Sequence, residues 1–137
     1  MPFNDLQTKQ IVPVTLWSGD VPNVVQSTGG NVVATFKCPM TCELKRLQAA
    51  AQAITASSQF TVLLKRASAG TPVTLLTLTS AVPYTAGVVV DSGDVSIPLF
   101  KDEPLTLTVS GTDADTDDIT ALFVLASLQM RQEQDGA

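Results

Sequence analysis

The segment Leu105–Gly111, LTLTVSG, alternates aliphatic and hydroxyl-bearing residues without a break. Such period-2 alternation puts Leu105, Leu107 and Val109 on one face and Thr106 and Thr108 on the other, the signature of a strand with one dry side. Related runs recur at intervals of about ten residues, parted by turns rich in Gly, Pro and Asp. Strands of this kind must stack their apolar faces on one another. The expected fold class is therefore all-β, an antiparallel β-sandwich of about eight strands.

From the start of the chain, Ile11–Trp17 reads as a first strand, with Ile11, Pro13, Thr15 and Trp17 opposite Val12, Val14 and Leu16. Pro13 cannot donate a ladder hydrogen bond, which places this strand at a sheet edge. The turn residues of Ser18–Asn23 are expected to end it, and Ser27–Gly30 supplies a second turn. Asn31–Cys38 follows as a strand with Val32, Ala34 and Phe36 inward. Phe60, Val62 and Leu64 face inward in the next clear strand, and Thr71–Ser80 carries a phase slip at Leu75–Leu76 that fits a β-bulge. Short strands on either side of Ser92–Gly93, a turn at Lys101–Pro104, and the strand Ile119–Met130 complete the series.

Between them lies Glu43–Thr55, where two periods compete. At 3.6 residues, Leu44, Leu47, Ala51 and Ile54 form a stripe of good helix formers. At 2, Leu47, Ala49, Ala51, Ala53 and Thr55 share a face. Its place in a series of antiparallel strands selects the strand reading, paired with Gln59–Arg66 across the intervening turn.

A chain of 137 residues, 45% hydrophobic and 15% charged, suffices for one core without metals or disulfides. We assign residues 1–10 to an N-terminal arm, 11–131 to the sandwich and 132–137 to a C-terminal tail. The net charge of −5 opposes binding to phosphate backbones, so no nucleic-acid partner is expected. No run approaches the ~18 apolar residues of a spanning helix, and Met1–Gln10 lacks the layout of a secretory signal; no membrane association and no export are expected.

Chemistry is sparse. The chain has no histidine, which removes serine-type triads and imidazole acid–base work. There is no G-x-x-x-x-G-K-[ST] loop, and the carboxylates cluster in turns with a single Trp17 and a single Tyr84 to line a sugar cleft. An enzyme is not expected, nor any cofactor. Cys38 and Cys42 read as buried free thiols, with a local disulfide or a metal site pooled between subunits as alternatives. Asp113, Asp115 and Asp117, in GTDADTDD, are hard oxygen ligands that would suit Ca²⁺. The match to a calcium loop stops there, because its glycine position holds Asp118 and its closing glutamate position holds Val124. The run reads as a solvated acidic turn.

The succession FKCPMTCELKRLQAAAQ, FTVLLKRA, VTLLTLTS, VVVDSGDVSIPLFKDEPLTLTVSG and ALFVLASLQM resembles the small jelly-roll β-sandwich proteins of tailed-bacteriophage virions, among them head decoration (cement) proteins and the tip modules of short fibres. The resemblance covers about residues 31–130. It departs at Cys42, where a glycine is frequent, and at ASAGTP, where a tighter turn is common. It implies a jelly-roll fold and a structural protein on the outer capsid surface of a virion assembled in the host cytoplasm. The partners implied are the major capsid protein, whose subunit contacts it would clamp, and two sister copies in a homotrimer. The alternative role is a host-surface-binding head of a tail or head fibre.

The strand Ile119–Met130 is apolar on both sides, so either one sandwich buries both or one side meets another subunit. Its interface candidates are Leu122, Val124, Leu128 and Met130. Phe3 and Leu6 are candidate anchors through which the arm would reach a neighbour.

Overall fold

The period-2 segments build the molecule. The computed structural model describes residues 10–25, 30–55, 59–66, 72–111 and 116–130, and among the described residues there are strands and no helix. The strands are β1 (Ile11–Val25), β2 (Asn31–Lys37), β3 (Cys42–Ala50), β4 (Ala53–Thr55), β5 (Phe60–Arg66), β6 (Val73–Thr79), β7 (Val90–Asp91), β8 (Ile97–Leu99), β9 (Pro104–Gly111) and β10 (Thr116–Met130).

They form two antiparallel sheets. The first runs β1-β10-β3-β7, with β4 also on β10 and β8 also on β3; the second runs β2-β9-β5-β6. Since β3 and β4 share one partner, and β7 and β8 another, each couple is one interrupted strand, and the ten segments act as eight. First pairs with last, β2 with β9, β3 with β8, and β5 with β6. This nesting is a long hairpin rolled over itself, the jelly roll.

The inward faces interlock as alternation requires. Leu44, Leu47, Ile119, Leu122 and Val124 from the first sheet are buried with Phe60, Val62, Leu64, Leu105, Leu107 and Val109 from the second. Pro13 sits in β1, an edge strand.

Bulges account for most departures from simple alternation. Leu16 is extra between Thr15 and Trp17, which turns Trp17 to the core side with Val14 and away from Thr15. Val33 is extra in β2, so Val33 packs inward while Val32 is 61% exposed, the reverse of the expectation for Val32. Leu75 is the extra residue in β6, as its phase slip predicts. Thr108, expected on the wet face, is buried beside Val32 and Leu63.

Ser18–Asn23 does not end β1. The strand continues to Val25, and its register shifts absorb the turn-forming residues. Opposite Asp20, β10 carries an extra residue, and Ala121 there adopts left-handed geometry with φ 51. Its N–H, lost to the ladder, donates to Asp20 Oδ1 at 2.8 Å.

Glu43–Thr55 is strand, broken at residues 51–52, but it does not pair with Gln59–Arg66. β3 and β4 lie on β10 in the first sheet, whereas β5 lies between β9 and β6 in the second. The connection crosses the sandwich because Leu44, Leu47 and Ala49 must face Phe60, Val62 and Leu64, not lie beside them. Where the chain enters β2, Gly30 has φ 96 and a side chain there would meet the Val109 carbonyl at 2.4 Å, so only glycine fits.

Leu107→Ala should cost about 2–5 kcal/mol by opening a cavity. Val32→Ala should change stability by under about 0.5 kcal/mol. Urea denaturation reads both, and a large loss at Val32 would contradict the bulge at Val33.

Candidate interaction surface

On β10 the residues after the bulge alternate between core and outer face. Leu122 and Val124 are fully buried and Leu128 nearly so. Met130 is half-buried, packed on the core and paired with Cys42. Leu122, Val124 and Leu128, expected at an interface, thus point into the chain's own core, because the second sheet covers that side of β10, and Met130 packs at its margin. Phe3, Leu6, Asp113 and Asp115 lie outside the described residues, as does the side chain of Asp117. Among the described residues, no group of three or more Cys, Asp or Glu is placed to hold a metal.

The opposite face of β10 is the one left open. Phe123 is 42% exposed and Leu125 half-buried, beside Ala50 and Gln48 of β3. Opposite Phe123 stands a methyl group, too small to fill the space next to the ring. The result is a depression of about 120 Å³ lined by Gln48, Ala49, Ala50, Val89, Phe123 and Leu125. A second depression of about 250 Å³ continues the same face, bounded by Ile11, Lys45, Arg46, Asp94 and Ser127.

Val89, more than half exposed, completes the apolar patch, and Val88 before it in the chain is about as exposed. Sequence reasoning placed them in a strand, but only Val90–Asp91 is one. Tyr84 positions the segment: its hydroxyl accepts from the Ala51 N–H at 2.9 Å and lies within hydrogen-bond reach of the Val88 carbonyl. Its ring meets Phe60 edge-on at 4.9 Å. The usable signal was a run of valines, Val88–Val90, just after a lone tyrosine and a glycine.

Charges at the rim are satisfied within the chain. Arg46 bonds Asp94 at 2.8 Å and lies 3.5 Å from Asp91. Gln48 donates to Asp91 at 3.1 Å, and Lys45 meets Glu43 at 3.3 Å. Exposed pairs such as Arg46–Asp94 contribute at most about 1 kcal/mol. Their consequence is electrostatic: the rim carries little uncompensated charge although the chain is anionic.

Cys38 and Cys42 are buried free thiols with sulfurs 4.0 Å apart. Burial pushes both thiols up, Cys42 to about 12 with further help from Cys38 beside it.

Neither any protein-family profile nor any curated protein sequence matches this chain. Solved structures do. The Eiger TNF protein of S. frugiperda aligns at TM-score 0.50 and 14% identity, over 91% of this chain and 96% of that one. The VP2 chain of an infectious bursal disease virus subviral particle aligns at TM-score 0.52 and 15% identity, over 93% of this chain and 34% of VP2. This chain thus spans about a third of that VP2 chain. At such identities the likeness defines the fold: this is a jelly-roll β-sandwich of the kind found in a viral particle protein and in a TNF protein.

A thiol held up near 12 in the fold, against about 8.5 when unfolded, keeps a proton that the unfolded chain releases. Its contribution to stability is complete below about pH 8.5 and declines as pH rises from there towards 12. Urea midpoints measured from pH 8 to 10 should therefore fall for the natural chain and fall less for Cys42→Ala.

Proposed function

We propose that this chain is a structural virion protein of the decoration type, which binds the outside of an assembled capsid as a homotrimer and stabilises contacts between major capsid subunits. The observation that carries this reading is the open apolar face of the first sheet, centred on Phe123, Leu125 and Val89. A contiguous exposed apolar patch rimmed by polar residues marks an interaction site. Charge permits a sister copy as the occupant. Two chains of net charge −5 repel one another, and an apolar face with an internally paired rim is where that repulsion costs least. The jelly-roll fold, similar to that of part of the particle protein VP2, and the resemblance to phage decoration proteins support the virion setting.

Phe123→Asp places a charge on the face without touching the core, so it should leave the melting temperature within a few degrees and shift the solution mass from trimer to monomer. Sedimentation at micromolar concentration reads the mass, and a natural chain that is already monomeric there would contradict the trimer. Co-sedimentation with assembled capsid shells of the encoding phage tests the role. Capsid binding without cell binding supports decoration; cell binding without capsid affinity supports the host-surface head instead.

A further inference from the structure

From the geometry of the corner between β2 and β3, we infer that Cys38 and Cys42 form an oxidisable dithiol, which closes to a disulfide in the folded chain by exchange with a low-molecular-weight disulfide. Cys38 follows the end of β2 in the second sheet, and Cys42 opens β3 in the first. The bend between them is one of the places where the chain passes from sheet to sheet. Both cysteines are registered to the same neighbouring segment: Cys42 pairs with Leu99, and Cys38 bridges Lys101. The Asp102 N–H donates to the Cys38 carbonyl at 2.9 Å, and the Lys101 N–H to Thr41 Oγ1 at 3.4 Å. These contacts hold the two thiols face to face without a covalent link, with the Cys42 S–H directed at Cys38 Sγ across 4.0 Å.

A disulfide requires about 2.05 Å between sulfurs, so closure asks for a convergence of roughly 2 Å. Residues 39–41 lie in a bend outside the strands, where Met40 is exposed, so the adjustment falls on the least constrained part of the corner. Pro39 narrows the backbone freedom of that bend and so keeps the thiols in each other's company. Burial raises both thiols and leaves few thiolates at neutral pH, so the exchange is slow there and quickens as pH rises.

The step balances as an exchange. One thiolate attacks a sulfur of the small disulfide, expels one small thiolate and forms a mixed disulfide. The second cysteine, losing its proton to solvent, attacks the protein-bound sulfur, forms the Cys38–Cys42 bond and expels the second small thiolate. The protein dithiol loses two electrons and two protons, and the small disulfide is reduced to two thiols. The closed bond would tie the end of one sheet to the start of the other at a corner now held by hydrogen bonds and packing.

The test uses the full chain, folded and fully reduced, incubated with oxidised glutathione and quenched with acid. Intact mass should fall by about 2 Da with both thiols lost together. Digestion should yield one cross-linked peptide spanning residues 38–42, and the closed form should melt above the reduced one. A lasting mixed disulfide on either cysteine, disulfide-linked dimers, or an unchanged mass under conditions that oxidise the urea-unfolded chain would each overturn the inference. None of these readouts depends on capsid binding or on the trimer.

Discussion

The extra residue of β10 at Ala121, whose N–H donates to the Asp20 carboxylate, sets which way the rest of the strand faces. β10 is the longest-range element of the fold, because it zips the end of the chain to its beginning through β1 and to its middle through β3 and β4. An extra residue in such a strand turns every side chain after it to the other face. Ile119 and Leu122 are both buried although they are three apart, which the bulge between them makes possible. Asp20 satisfies the amide that the bulge frees, so the phase change does not leave an unpaired donor on the ladder.

From that phase the division of labour between the two faces follows. Leu122, Val124 and Ala126 go to the core, where the second sheet supplies Leu107, Val109 and Val62. Phe123 and Leu125 go outward, beside Ala50, which leaves a hollow where a larger residue would have filled it. Tyr84 adds Val89 to the same face by anchoring a loop to the end of β3. The apolar face is thus assembled from three separate parts of the chain, and the cations of its rim, Lys45 and Arg46, are paired with carboxylates of the same chain.

Much of the fold was legible in the sequence where alternation runs unbroken. Phe60, Val62 and Leu64, and Leu105, Leu107 and Val109, lie inward as their period demands, and Pro13 marked an edge strand. Legibility failed at bulges, since Leu16, Val33 and Ala121 have no residue type that announces an extra position. It failed also for the partner of β3: adjacency in sequence suggested β5, whereas burial of both small-residue faces required β10 as neighbour and β5 as the opposing layer. The outward side of β10 escaped the sequence reading for the first of these reasons. The two-sided apolar character of β10 was visible, but which side faced water depended on a bulge whose freed N–H meets a residue 101 positions away.

Residue-resolved solvent labelling by hydroxyl radicals, followed from nanomolar to high micromolar protein, tests this account most directly. Phe123 and Leu125 should be labelled in the dilute chain and lose reactivity as concentration rises, while Leu122 and Val124 stay unlabelled throughout. Labelling of Leu122 or Val124 in the dilute folded chain, or a Phe123 reactivity that does not change with concentration, would contradict it.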